Sequence, residues 1–276
     1  MNRGSVWRPA LIWIPSLTLV AFTIFPYVWI LLTSIKPEAE LWNPDFHYLP
    51  RQVTLDNYVQ LITATPLPRF FLNSTIVASL STAIALLVAI SAAYSFSRFR
   101  FRGRNFLMTL FLVIPMFPTV LILIPLFVIM RDLHLLGSYV ALLIAYTTFV
   151  IPFSVWMLTG FFDAFPVDLE EAGMVDGCSR VGAIFRILVP MAMPGIIATG
   201  IYVFIVSWNE FLFALMFTAA DTRTLPVGLY SLIGEYDVHW GLLTAMGIVV
   251  TVPVVVLFFL VQGHLIRGLT AGAIKG

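Results

Sequence analysis

Long apolar runs, separated by short polar stretches, set the rhythm of this chain. No Asp, Glu, Lys or Arg falls between Pro9 and Ile35, Phe70 and Ser97, or Asn105 and Met130. A fourth run lies within Leu133 to Phe162. A fifth lies within Ile187 to Phe217, interrupted only by Glu210, and a sixth within Val238 to Ile266. A helix rises 1.5 Å per residue and needs about 20 apolar residues to cross the hydrocarbon of a bilayer. The pattern therefore predicts an all-α integral membrane fold of one transmembrane domain over 1–276. Its six spans fall near 9–35, 70–97, 105–130, 139–162, 194–217 and 241–263. A closed barrel is the other way to cross a membrane, but its strands alternate in period two, and these runs do not.

Composition agrees with lipid as the main solvent. Of 276 residues, 60% are hydrophobic and 11% charged, with mean hydropathy +0.98. Soluble domains carry about a quarter charged residues. The net charge of +1 offers no field for nucleic acid. One cysteine, Cys178, excludes an internal disulfide framework. His47, His134, His239 and His264 are scattered without paired ligand spacing, so no metal site is expected. The first apolar run is too long for a cleavable leader and has no clear cleavage site after it.

Lys and Arg in short loops orient such a chain. With the amino terminus in the cytosol, the inner side receives Arg3, Arg8, Arg98, Arg100, Arg102, Arg104, Arg180, Arg186, Arg267 and Lys275. The outer side receives Lys36, Arg51, Arg69, Arg131 and Arg223. The excess predicts both termini inside. The cluster "SRFRFRGRN" after the second run is the strongest anchor. Outer loops then fall at 36–69, 131–138 and 218–240, and the segment 163–193 lies in the cytosol. The outer segment from Lys36 to Pro68 is too short for a domain with its own core.

That cytosolic segment is unusually polar. "FPVDLEEAGMVDG" reads as a short helix with Pro166 near its start. Asp168, Glu170 and Glu171 fill its first turns, where the helix dipole favours acids, and Gly177 acts as a stop. "SRVGAIFRILVP" reads as a second helix, capped by Ser179 and ended by Pro190. Val181, Ile184, Phe185 and Leu188 give it an apolar face. Two short helices meeting at "DGCS" would form an ordered protrusion suited to docking another protein. A solvated acidic surface helix is the plainer alternative.

These residues resemble the cytoplasmic coupling loop of ABC importer permeases. That pattern is E-A-A, three residues, G, nine residues, I, one residue, L-P. Glu171, Ala172, Gly177, Ile187 and Pro190 match in register, while Gly173 replaces the second alanine and Val189 the leucine. "SWNEFLFAL" at Ser207–Leu215 and "GLTAGAIKG" at Gly268–Gly276 resemble the carbohydrate branch, the maltose-type (MalG-like) binding-protein-dependent family. The resemblance covers nearly the whole chain. It implies a six-helix permease of the bacterial or archaeal inner membrane that forms half of a carbohydrate pathway with a second permease subunit. It implies two cytosolic ATPase subunits and an external sugar-binding protein as further partners. The chain lacks the Gly-x-x-x-x-Gly-Lys-Ser/Thr phosphate loop, so it is read as a non-enzyme that binds no cofactor. ATP and Mg2+ would be used by the partner ATPases.

The resemblance also assigns residues. ATPase coupling would fall to Glu170, Glu171, Ala172, Gly173, Asp176, Gly177, Ile187 and Pro190, with Glu171 pairing with a base of the ATPase. Independently of the resemblance, Glu210 is the one acid inside a span, and such acids face a bundle interior or water. Trp208, Asn209 and Glu210 are therefore candidates for the translocation path, although the resemblance implies that the main membrane sugar site lies on the partner permease. Their alternative is helix packing, with Glu210 bonded to Ser, Thr or Tyr of a neighbour. Gly228, Leu229, Tyr230, Ser231, Leu232, Ile233, Gly234 and Glu235 are candidates for contact with the binding protein. Their alternative is an interfacial loop. Pro115, Pro118 and Pro125 favour kinks in the third run. Two rival classes remain open: an ion-coupled secondary transporter relaying through Glu210, and a membrane scaffold that transports nothing.

Overall fold

The computed structural model describes residues 7–45, 47–234 and 238–273. Among them every regular element is helical, with one isolated bridge between Ile233 and Val238. In chain order they are α1 (Trp7–Ser34), α2 (Glu38–Leu41), α3 (Asp56–Ala64), α4 (Leu67–Arg98) and α5 (Arg104–Val113). A 3-10 turn, Ile114–Met116, leads to α6 (Thr119–Asp132), and α7 (Tyr139–Asp163) and α8 (Asp168–Val175) follow. Then come α9 (Arg180–Ala183), a π turn (Ile184–Leu188), α10 (Val189–Met191), α11 (Met193–Trp208), α12 (Leu212–Phe217), α13 (Leu225–Tyr230) and α14 (Trp240–Ala273).

Four described helices are long and apolar enough to cross a bilayer: Ile12–Ser34, Leu67–Arg98, Tyr139–Asp163 and Trp240–Gly263. The count reaches six if each of two bent pairs is one span. The third run is therefore not one rod. It turns by 94° between Arg104–Met116 and Thr119–Asp132. Proline is the cause. Pro118 has no N–H to give the preceding turn, and it holds Phe117 extended at φ −70°, ψ 134°. A second bend, 80°, separates Arg180–Met191 from Met193–Trp208, where Pro194 opens α11. Pro125 sits inside α6 without ending it.

The chain divides into two compact units. One comprises 1–67 and 229–252. Here Asn57 is buried, and its amide donates to the carbonyls of Ser34 and Lys36, both at 2.9 Å. The Ser34 carbonyl is one of the unpaired acceptors that every helix end leaves, and the Lys36 carbonyl lies just beyond it, so Asn57 ties down the end of α1 and the turn that follows. Gly241 lies against the same amide, where an added Cβ would collide. Lys36 is also buried and donates to the His47 carbonyl at 2.5 Å.

The other unit comprises 68–228 and 253–276, and α7 is its centre. One cluster joins Ala141, Leu142, Ala145 and Tyr146 of α7 to Phe213, Ala214 and Phe217 of α12 and to Leu123 and Met130 of α6. A second joins Val155, Leu158 and Phe162 of α7 to Ala89, Ile90, Ala93, Tyr94 and Phe96 of α4 and to Leu188, Ala192 and Ile196. Ala78, Ala85, Ala89 and Ala93 of α4 are fully buried. Small residues let helices approach closely in lipid, where dispersion and polar contacts replace the hydrophobic drive. Gly195 makes the same use of space, since the Phe161 ring fills the place of its missing Cβ.

Polar contacts hold the far end of α4 to the loop after α12. Asn73 donates to the carbonyls of Asp221 (3.0 Å) and Arg223 (2.8 Å) and accepts from the Tyr139 hydroxyl (2.7 Å). Ser74 accepts from the Leu225 N–H at 2.8 Å.

Candidate functional site: the loop from Asp163 to Met193

The loop begins where α7 ends. Val167 starts α8 without a side-chain cap, and Asp168, Glu170 and Glu171 supply negative charge to its first turn. The far end closes as a Schellman motif. Gly177 N–H donates to Met174 O at 3.1 Å and Cys178 N–H to Gly173 O at 3.0 Å. That geometry requires Gly177 at φ +92°. Ser179 then caps α9 by accepting from Gly182 N–H at 3.1 Å. The second helix is not regular throughout. It widens into the π turn at Ile184–Leu188, just before Pro190, whose ring offers no N–H.

Gly173 explains how the two halves meet. It is buried, and an added Cβ would land on the δ-methyl of Ile187. The departure from alanine thus coincides with close packing of the π turn on α8. The obstructing atom is the end of a flexible side chain, and alanine raises helix propensity by up to about 1 kcal/mol over glycine. Gly173→Ala is therefore expected to leave the melting temperature in detergent nearly unchanged as Ile187 swings aside. Gly173→Phe is expected to part the two segments and lower it clearly.

The side chains divide into inner and outer sets. Glu170 turns inward. Its carboxylate meets Arg98 at 2.6 Å, with 4% and 7% of the two side chains exposed. Arg98 also donates to the Phe165 carbonyl at 3.2 Å and to Ser97 Oγ at 3.1 Å. Ser97 in turn donates to Asp163 at 2.6 Å, and Arg104 reaches the other oxygen of Asp163 at 3.4 Å. Ala183 and Leu188 are buried beneath. Glu171, Ala172, Asp176 and Gly177 face outward, and neither Glu171 nor Asp176 forms an ion pair among the described residues. Around them stand Val175 at 87% exposure, Val181 at 63% and Phe185 at 54%. The apolar face expected of the second helix is therefore split: Leu188 joins the core, while Val181 and Phe185 point away from it.

The remaining candidates lie elsewhere. Trp208 is buried, edge-on to Phe71 at 5.8 Å and stacked on Phe204 at 5.6 Å. Asn209 is exposed and bonds back to the Ile205 carbonyl. Glu210 sits in the break between α11 and α12. Its two oxygens accept from Phe213 N–H at 2.8 Å and Ala214 N–H at 3.1 Å, which makes it the amino-terminal cap of α12. The Tyr146 hydroxyl faces the same carboxylate. Gly228, Leu229 and Tyr230 end α13, with Phe70 filling the space beside Gly228. Ser231, Ile233 and Gly234 are exposed, Leu232 is half-buried, and Glu235 lies outside the described residues. No group of His, Cys, Asp and Glu among the described residues is placed to hold a metal ion.

Residues 54–271 match the family described as "Binding-protein-dependent transport system inner membrane component". The chain belongs to this family of transport permeases. The permease is 43% identical over 254 residues to the sulfoquinovosyl glycerol transport system permease protein SmoH of Agrobacterium fabrum, covering 92% of this chain and 89% of that one. It is 34% identical to the trehalose/maltose transport system permease protein MalG of Thermococcus litoralis, over 99% of each chain. Its fold matches a bacterial ABC transporter involved in the import of the acidic polysaccharide alginate, with TM-score 0.82, 19% identity, and 95% and 98% of the two chains covered. As a member of this family the permease is a non-catalytic membrane subunit, and ATP hydrolysis belongs to partner ATPases.

Two residues of the site escape a reading of the sequence. Arg98 looks like one more arginine of a positive-inside cluster, and its partner lies 72 residues away. Val175 looks like an ordinary apolar helix position. The available signal was its place beside Asp176 and Gly177, where no core or lipid face is expected.

Proposed function

We propose that this permease is one of two membrane subunits of an ATP-driven sugar importer in a bacterial or archaeal cytoplasmic membrane. Both termini and the loop from Asp163 to Met193 face the cytosol; the bent pair Arg104–Met116 and Thr119–Asp132 counts as the third of six spans, and α11 with α12 as the fifth. The loop docks a cytosolic ATPase that uses ATP and Mg2+. An external sugar-binding protein delivers substrate, with 228–235 on its side of the membrane and Trp208, Asn209 and Glu210 near the path. Sugar as the substrate class rests on relatives whose names specify a sugar glycerol, trehalose and maltose.

The observation that carries the docking role is the outward surface of the loop. Glu171 and Asp176 lie beside Val175, Val181 and Phe185, all exposed on an ordered, capped pair of helices. Apolar side chains set among acids suit a protein partner with a basic rim, since a few fully desolvated anchors, aromatic ones above all, carry most of the binding energy at an interface. Exposed apolar residues along α1, from Ile12 to Leu31, similarly fit cover by lipid and by the second permease.

An ion-coupled relay through Glu210 is less well supported, because both carboxylate oxygens are engaged in capping α12. Affinity capture of the tagged chain in mild detergent is expected to recover an ATPase and a second permease. Val181→Glu with Phe185→Glu should cut the recovered ATPase by about tenfold or more, as loss of a hot spot does, and leave the second permease in place. Full recovery of the ATPase with the double variant would refute the docking surface.

A further inference from the structure

We propose that Arg98 is a positioning residue that fastens the docking loop to α4, so that movement of the loop is delivered into that span through side chains. The inference rests on the reading that the loop docks an ATPase. It adds a route by which the docked loop moves the membrane helices.

Position alone would make Arg98 a topology anchor, the role of arginines at the inner ends of spans. Such an anchor keeps its guanidinium in water or among lipid headgroups. Arg98 does neither. Its side chain is 7% exposed, and each of its three nitrogens has a partner within this chain: Glu170 of α8, the Phe165 carbonyl before α8, and Ser97 of its own helix. Neither Arg100 nor Arg102, two and four residues on, forms an ion pair among the described residues, and both are exposed. Those two suffice as ordinary anchors.

A buried ion pair is a poor source of stability, because desolvation offsets most of the attraction. What it supplies is direction. A guanidinium is a planar fork with fixed donor vectors, so a partner held at 2.6 Å, with a carbonyl on another arm, is fixed in orientation as well as distance. The Tyr94 hydroxyl, one turn earlier on α4, faces the same Glu170 carboxylate. A second tie reaches the other half of the loop. The Arg180 guanidinium of α9 stands 5.3 Å over the Phe99 ring, and Phe99 meets Tyr94 edge-on at 6.1 Å. Residues 94–99 therefore hold both α8 and α9.

The covalent routes out of the loop are softer. Toward α7 the chain passes through Ala164–Val167, which contains Pro166, and toward α11 it passes through the π turn and an 80° bend. A push on α8 can be absorbed at either. The Arg98–Glu170 contact bypasses both and leads into α4, a span remote in sequence.

The intact importer in proteoliposomes provides the test, with ATP hydrolysis and sugar uptake measured on the same vesicles. Arg98→Gln is expected to keep the ATPase bound and hydrolysis within about twofold, while uptake per ATP falls about tenfold, the scale of a broken coupling contact. Arg98→Lys, which keeps the charge and loses the fork, should give an intermediate ratio. An unchanged ratio in Arg98→Gln overturns the proposal, since a merely structural contact would lower the yield and leave the survivors coupled. Release of the ATPase also overturns it, because the lock acts within this chain. If Arg98→Gln fails to reach the membrane, the ratio for Arg98→Lys decides alone: lowered supports, unchanged refutes. Failure of the underlying reading shows separately, as a Gly177→Asp importer that retains both bound ATPase and uptake.

Discussion

Gly177→Asp is expected to abolish sugar uptake while leaving the permease in the membrane. Space is not the reason, for nothing lies within 4 Å of where a Cβ would stand. Conformation is. At φ +92° the residue must adopt the left-handed region, which costs an L-residue about 1–2 kcal/mol. Relaxing that strain opens the Schellman closure and frees the Gly173 and Met174 carbonyls, so α8 loses its defined end. The new carboxylate also doubles the charge beside Asp176, on the surface proposed for docking. A local cost of this size does not unfold a helical membrane bundle, whose core lies elsewhere. Glu171→Lys should have a comparable effect for a different reason. It reverses an exposed charge and removes an acid from the first turn of α8. Initial uptake rates in vesicles, normalised to permease in the membrane, provide the measurement. Normal ATP-driven uptake by either variant would end the docking reading.

Glu210 gives the second large expected effect, and the order of its variants carries the information. Glu210→Ala removes both acceptors that cap α12. A hydrogen bond to a charged group contributes about 1.5–3 kcal/mol, and a buried donor left alone costs more than the bond is worth when made. Glu210→Ala is therefore expected to lower the melting temperature of the purified permease and its yield in the membrane. Glu210→Gln keeps the shape and one acceptor oxygen, so it should retain uptake within a few-fold, well above Gly177→Asp. A transporter relaying ions through Glu210 behaves oppositely, since glutamine cannot release a proton. Loss of uptake in Glu210→Gln without loss of stability would favour that rival.

Much of this architecture follows from local chemistry. The apolar runs mark the membrane helices, and Gly177, Ser179 and Pro190 mark the turns of the loop, because helix ends are decided by caps, φ angles and missing donors within a few residues. Hydropathy overstates continuity for the same physical reason. Asn105–Met130 is uniformly apolar, yet Pro118 divides it, since a run of greasy side chains says nothing about which backbone donors are present. In the fifth run the bend at Ala192 and the break at Asn209–Phe211 are both hidden by apolar neighbours. Side-chain direction is harder still. Glu170 and Glu171 are adjacent acids of one helix, and only packing turns the first to Arg98 and the second to solvent. The charge cluster holding Arg98 gives no hint that one of its members is buried.

The absence of an interior proline from α4 has a mechanical meaning. Helices α1, α6, α7 and α14 all carry a proline in their interiors, whereas the only proline of α4 is Pro68, in its first turn. Its 32 residues make a rod about 48 Å long. One end is gripped at Arg98, and the other holds the backbone of Asp221 and Arg223 through Asn73. A stiff beam turns a small rotation at its foot into a large excursion at its tip: a tilt of about 10° sweeps that tip through roughly 8 Å, given the helical rise. The strand of backbone clasped by Asn73 would travel with it, as a load on the end of a crane.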